Sequence, residues 1–297
     1  MDSLLKALLG LGLTGIAMNV LLVATVLKIK QRHEDITLAL LLAVADIFVA
    51  TTTVTSSSLL LARSSTPLLA DICRFVTFID FVLLYAAMAL VALISLVRRS
   101  RVVCKRIPTF FWVLLSIMSV LYFPAVMLSA LRGEFQISPS GMDCPGQMSD
   151  SFLSLAVASL LGTSMLILLV TTIWGYLSII LHLSEPSEVC LVPKALHPIA
   201  GNHPIAISLP RATSLNIGVL VRIVGIVIVY LVLIVPPALM LLASTTKLVR
   251  LTTNVKLVFA IFASTLSIAN PSLILFAHST IYNQLISSFR PLPSTPT

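Results

Sequence analysis

The chain has 297 residues, of which 58% are hydrophobic and only 10% charged, with a net charge of +8 and a mean hydropathy of +1.07. A soluble domain usually carries roughly 25% charged residues to cover its surface, so this composition excludes an ordinary soluble enzyme and indicates a polytopic membrane protein. The positive charge is not a nucleic-acid signature, because basic residues collect at the cytosolic face of membrane proteins and no nucleic-acid partner is implied.

One crossing takes about 20 apolar residues. On that basis seven spans are read, at about 7–27, 36–62, 72–97, 109–131, 151–181, 213–244 and 254–279. The runs are too long for strands and show no period-2 alternation, which argues against a barrel. The fold class expected is therefore an all-α, seven-transmembrane helix bundle with its N-terminus outside. Residues 1–280 form the transmembrane domain and 281–297 a cytosolic tail. The first span is read as a mature helix: it has Lys6 and an apolar core, but no small-residue cleavage site precedes the Lys28 to Asp35 loop.

Orientation follows from Lys and Arg. With the N-terminus outside, 12 of the 19 fall on the cytosolic side. Five of these, Arg98, Arg99, Arg101, Lys105 and Arg106, sit together at the end of the third span, where the positive-inside rule is strongest.

Taken in order, the first span carries Gly15 four residues before Asn19, so the two share a face that a neighbouring backbone can approach. The second holds Asp46 inside an apolar run. A carboxylate at mid-bilayer costs about 2.5–3.5 kcal/mol on insertion scales, so it is expected to face other helices and find polar partners. Asn19, Asp46, Ser267, Asn270 and Pro271 are accordingly read as one polar core. The third span begins near Cys73 and carries a second intramembrane acid, Asp80. Asp80 is either a hydrogen-bonded packing group or a counter-ion for a cationic ligand, and intramembrane acids favour the second reading. Asp80, Phe81, Leu84 and Tyr85 follow helical spacing and could line a cavity.

Residues 132–150 read as an exposed outer loop containing Cys144. Four cysteines allow three pairings. The orientation puts Cys73 and Cys144 outside and Cys104 and Cys190 in the reducing cytosol, so one disulfide, Cys73–Cys144, is expected. The loop 183–212 contains five prolines and is expected to be a mobile cytosolic loop. Pro236-Pro237 should kink the sixth span, and Ile281, Leu285, Ile286 and Phe289 suit a short amphipathic helix on the inner membrane surface. No metal cluster, glycine-rich phosphate loop or intramembrane Ser/His or paired-Asp arrangement appears in the sequence, so neither an enzyme nor a cofactor is expected.

The ordered marks Gly15 with Asn19, Leu42-Ala-Val-Ala-Asp46, Cys73, Arg98, Trp112 with Pro124, Cys144, Pro236 and Asn270-Pro271 resemble those of rhodopsin-like (class A) G-protein-coupled receptors over nearly the whole chain. Arg98 follows Cys73 by 25 residues, the spacing at which that family carries the Arg of its Asp-Arg-Tyr motif. The resemblance implies a plasma-membrane receptor coupling a small extracellular ligand to a heterotrimeric G protein. Membrane lipid would be a further partner, and Arg98, Tyr176, Tyr230 and Pro236 would act as switch and coupling residues. Asp80 falls where amine receptors place their amine-binding acid, which implies a cationic ligand, with Ser159, Thr163, Ser164 and Ser264 as further wall residues. A chemosensory receptor fits as well as an amine receptor.

The departures are as definite. Val97 replaces the acid before Arg98, Arg99 the following Tyr, Asn216 an acid of the sixth span in some members, and Ile274 the last Tyr. Leu233-Ile234-Val235-Pro236 lacks the family's tryptophan switch, and Ala87 replaces a serine that often helps bind sodium, which weakens the case for an allosteric sodium ion at Asp46. The chain reads as a divergent member with a loosely held resting state. A secondary transporter and a non-signalling seven-helix scaffold are the alternatives. The absence of an internal repeat counts against the first, whereas the lost switch residues keep the second open.

Overall fold

A bilayer core offers no water to a peptide group, so a spanning segment must satisfy its N–H and C=O groups internally, and long apolar runs become helices. A computed structural model describes residues 2–30, 33–61, 67–103, 106–132, 135–136, 147–148, 152–184, 217–245 and 253–289. The described helices are α1 (Asp2–Leu27), α2 (Glu34–Leu61), α3 (Pro67–Val103), α4 (Thr109–Leu131), α5 (Phe152–Ser184), α6 (Ile217–Thr245), α7 (Thr253–Ala277) and α8 (Ser279–Phe289). Six of them, α1 to α6, contain stretches long and apolar enough to cross a membrane. In α7 the stretch meeting the apolar criterion is the shorter Ser264–Ala277. The chain is thus a membrane-type helical bundle.

The helices close into a ring in the order α1, α2, α3, α5, α6, α7 and back to α1. α4 lies outside that ring against α3 and α5, with Trp112, Val113, Ile117, Val120 and Leu121 exposed. In a membrane those side chains face lipid and need no protein cover. α3 is longer than expected: at 1.5 Å per residue its 37 residues reach roughly 55 Å, well beyond a core of about 30 Å. It starts at Pro67, whose fixed φ suits a first helical position, and runs on through Arg98, Arg99 and Arg101 to Val103. The segment between α4 and α5 is not wholly irregular, because β1 (Phe135–Gln136) pairs antiparallel with β2 (Gln147–Met148). Cys144 and the side chain of Cys73 lie outside the described residues, as do Cys104, Cys190, the proline-rich loop and the last eight residues.

α2 carries Thr51, Thr52, Thr53, Thr55 and Ser56 in an apolar setting. Most of these hydroxyls donate to the carbonyl one turn back, as Thr51 does to Ile47 at 2.7 Å and Thr55 to Thr51 at 2.9 Å. This satisfies the hydroxyl without water. α6 runs through Pro236 and Pro237, which leave the carbonyls of Val232 and Leu233 without their usual intrahelical donors. α8 packs on α7 and α1 and buries Ile281 completely, whereas Leu285 is half-buried and Ile286 exposed.

The ring closes tightly where α1 meets α2 and α7. A Cβ at Gly15 would lie 2.5 Å from Ser267 Oγ and 3.3 Å from Ala50 Cβ, so only glycine permits this approach. Gly10, on the same helix, has nothing within 4 Å of such an atom. Gly15→Ala should therefore destabilise the folded protein by about 1–3 kcal/mol through overpacking. Gly10→Ala should be neutral or stabilising by up to roughly 1 kcal/mol from helix propensity. Thermal unfolding of the two variants in detergent, side by side with the unmodified chain, checks both.

Candidate functional site

The site is built on a defect in α7. Pro271 has no N–H, so the carbonyl of Ser267, four residues earlier, loses its intrahelical donor. Asn19 on α1 supplies the replacement: its Nδ2 donates to the Ser267 carbonyl at 2.6 Å and to its own Gly15 carbonyl at 2.9 Å. The other Asn19 atom, Oδ1, is buried without a partner. Ser267 Oγ turns back to the Ser264 carbonyl at 2.7 Å.

One residue before the proline, Asn270 holds the intramembrane acid. Its Nδ2 donates to both Asp46 oxygens, at 2.9 and 3.2 Å, and its Oδ1 accepts from the Tyr230 hydroxyl at 3.0 Å. Asp46 and Asn270 are each 2% exposed and Asn19 is fully buried. Four helices, α1, α2, α6 and α7, are thereby joined through one set of side chains. A small cavity of about 20 Å³, room for about one water, lies against this network and is lined by Leu84, Ala87, Thr172 and Tyr230 among others. Its wall is mainly apolar, Ala87 contributes only a methyl, and both Asp46 oxygens already face Asn270.

The residues read from sequence as a ligand wall occupy several places. Asp80 is hydrogen-bonded to the hydroxyl of Thr52 on α2, which also lies 2.7 Å from the Val49 carbonyl. Ser264 is 3.4 Å from Thr53, so it too meets α2. Tyr85 turns to α4, where it stacks on Tyr122 at 4.7 Å and shares a hydrogen bond with Ser119 at 3.0 Å. The Tyr122 hydroxyl donates to the Phe81 carbonyl at 2.9 Å. Leu84 lines the cavity at Asp46, Ser159 is half-buried, and Thr163 is exposed on α5. Tyr85 thus belongs to the α3–α4 contact, and Thr163 faces outward rather than into the bundle.

At the basic end, Arg98 donates through Nη1 to the Tyr176 hydroxyl on α5 at 3.0 Å. The nearby acids serve a different arginine: Arg101 lies 2.6 Å from Asp35 and 3.9 Å from Glu34, both in the first turn of α2. His278, between α7 and α8, places Nδ1 3.7 Å from the other Asp35 oxygen, too far for a hydrogen bond. Its Nε2 is buried without a partner. Burial holds the His278 imidazole well below its usual value, with the positive charges of Arg98 and Arg101 adding to the effect and Asp35 opposing it. His278 is therefore neutral at neutral pH, and its contact with Asp35 is not an ion pair.

Thr52, Thr53, Asp35 and His278 were not singled out from the sequence. The hydroxyl run of α2 was a readable signal, since such residues inside an apolar span need partners. Nothing local marks Asp35 and His278, which are far apart in the chain and meet only when α2 and α7 converge. No family model and no curated protein matches this chain.

Two outcomes are expected. Asn270→Ala removes both donors to Asp46 and should cost about 1–3 kcal/mol, whereas Asp46→Asn keeps an acceptor for Asn270 and should cost less. Thermal unfolding orders the two. Because the His278 value is lowered on folding, the unfolded chain binds more protons between about 4 and 6.5. Stability should be complete above that window and fall as the pH drops through it. The loss in melting temperature between pH 7.5 and pH 5.5 should be smaller for His278→Gln than for the unmodified chain.

Proposed function

We propose that this chain is a divergent rhodopsin-like G-protein-coupled receptor of the plasma membrane, with seven spans and its N-terminus outside. The reading rests chiefly on one observation. A closed ring of apolar helices carries a buried Asn19–Asp46–Asn270 network inside it and an arginine, Arg98, at its most basic end. Those are the positions at which the sequence resembles that family.

On this reading the ligand is a small extracellular molecule, and a cation suits Asp80, whose partner Thr52 is a neutral hydroxyl. Binding shifts the population toward a second arrangement and must therefore be tighter there. α6, weakened at Pro236-Pro237, moves; the Tyr230–Asn270 bond, which ties α6 to α7, breaks or re-forms; and Arg98 leaves Tyr176 to meet the G protein. Because Arg98 is held by a hydroxyl and not by an acid, little opposes its release, and basal activity is high.

The test is G-protein activation without added ligand in cells expressing the unmodified chain or Arg98→Ala at matched surface levels. Signalling should exceed that of mock-transfected cells and fall to their level with the substitution. Equal signals from the two forms would remove Arg98 from the mechanism. A total lack of coupling, with ligands screened, would leave a non-signalling scaffold as the better reading. Asp80→Asn should lower the potency of a cationic agonist at least tenfold while sparing the basal signal.

A further inference from the structure

The contact between Thr52 of α2 and Asp80 of α3 holds more acceptors than one hydroxyl can serve. Thr52 Oγ1 is hydrogen-bonded to Asp80 Oδ1 and lies 2.7 Å from the Val49 carbonyl. Two oxygens at that separation repel unless a hydrogen lies between them. A hydroxyl has a single hydrogen to give, and lone pairs that accept. Its neighbours on α2 show where such hydrogens go: Thr51, Thr53, Thr55 and Ser56 each donate to a carbonyl of the preceding turn. With the Thr52 hydrogen spent on Val49 in the same way, the hydrogen in the bond to Asp80 has to come from Asp80. The count closes when the carboxyl O–H donates to Thr52 and Thr52 donates to Val49.

The surroundings point the same way. Among the described residues Thr52 is the one hydrogen-bond partner of Asp80, and no cation pairs with it there. Two other acids of the fold are better supplied: Asp35 has Arg101, and Asp46 receives the Asn270 amide on both oxygens. The described ionisable groups of the neighbouring helices are turned elsewhere or lie far off. Tyr85 bonds Ser119, and the Tyr122 hydroxyl of α4 donates to the Phe81 carbonyl. Asp46, six residues before Thr52, is nearly two turns away along α2. α7 offers Ser264, a neutral hydroxyl at Thr53. In an apolar bundle an ionised carboxylate with one neutral hydroxyl and no countercharge is costly, whereas a carboxylic acid that donates a hydrogen bond is not.

We propose that Asp80 and Thr52 form a proton-binding site: the acid is neutral in this arrangement, and its O–H heads a relay through Thr52 to the Val49 carbonyl. A cation that enters at Asp80 exchanges with that proton. The carboxyl O–H bond breaks, its electron pair stays on the carboxylate, the proton leaves to water and the cation takes its place, so the net charge of the site is unchanged. Acid in the surrounding water therefore competes with the cation. The exchange rests on the reading of Asp80 as the group that meets a cationic ligand; the proton site rests on the α2–α3 contact alone.

Infrared spectroscopy of the full purified chain, without ligand or G protein, reads the site directly. At neutral pH ordinary surface acids are ionised, so a carboxylic C=O band that shifts in D2O reports an acid that has kept its proton. The spectrum should contain such a band that Asp80→Asn removes and Asp46→Asn leaves in place. Thr52→Val, which takes away the acceptor, should keep the band and move it to higher frequency, whereas Thr52→Ser should leave it where it is. A carboxylic region that Asp80→Asn does not change shows the acid ionised and overturns the proposal, whatever the chain signals. So does a band that Thr52→Val leaves unmoved, because the O–H then has another acceptor. If Asp80→Asn fails to fold, the shift between Thr52→Ser and Thr52→Val decides by itself.

Discussion

The Asn19 amide on the Ser267 carbonyl is the interaction on which the rest of the bundle depends. A proline inside a membrane helix strips a carbonyl of its donor where no water can replace it. α7 could carry Pro271 only if another helix came close enough to supply that donor. α1 does so through Asn19, and Gly15 removes the side chain that would have kept it away. The residue just before that proline, Asn270, then faces α2 and α6 and holds Asp46 and Tyr230. One backbone defect thus specifies the relative placement of four helices, and the hydrogen bonds that repair it are the ones a rearrangement would have to exchange.

The basic end distributes its charges differently from the receptor family proposed for this chain. With Val97 in place of an acid, Arg98 turns to the Tyr176 hydroxyl, and the carboxylates pair one turn further on, with Arg101. The α2–α3 contact therefore holds the strong ion pair, while the α3–α5 contact holds a single neutral acceptor. A hydrogen bond to a hydroxyl exchanges with water or a partner more readily than a charge-assisted bond to a carboxylate. His278 sits against the same acids and is kept neutral by its surroundings, so it spaces α7 and α8 from α2 without adding charge.

The sequence by itself determined that this chain is a bundle of membrane helices, because apolar runs of this length can satisfy their backbones in a bilayer in no other way. It also indicated Asn19, Asp46 and Asn270 as buried, since a polar group in hydrocarbon must find a partner. It could not say which partners, because hydrogen bonds across helices depend on the rotation and depth of each helix, and an all-apolar helix surface leaves little periodicity from which to read either. Tertiary structure alone decided that Asp80 meets Thr52, that Tyr85 turns to α4 and that Thr163 faces outward. It alone brought Asp35 to both Arg101 and His278, across three helix ends that no local pattern connects.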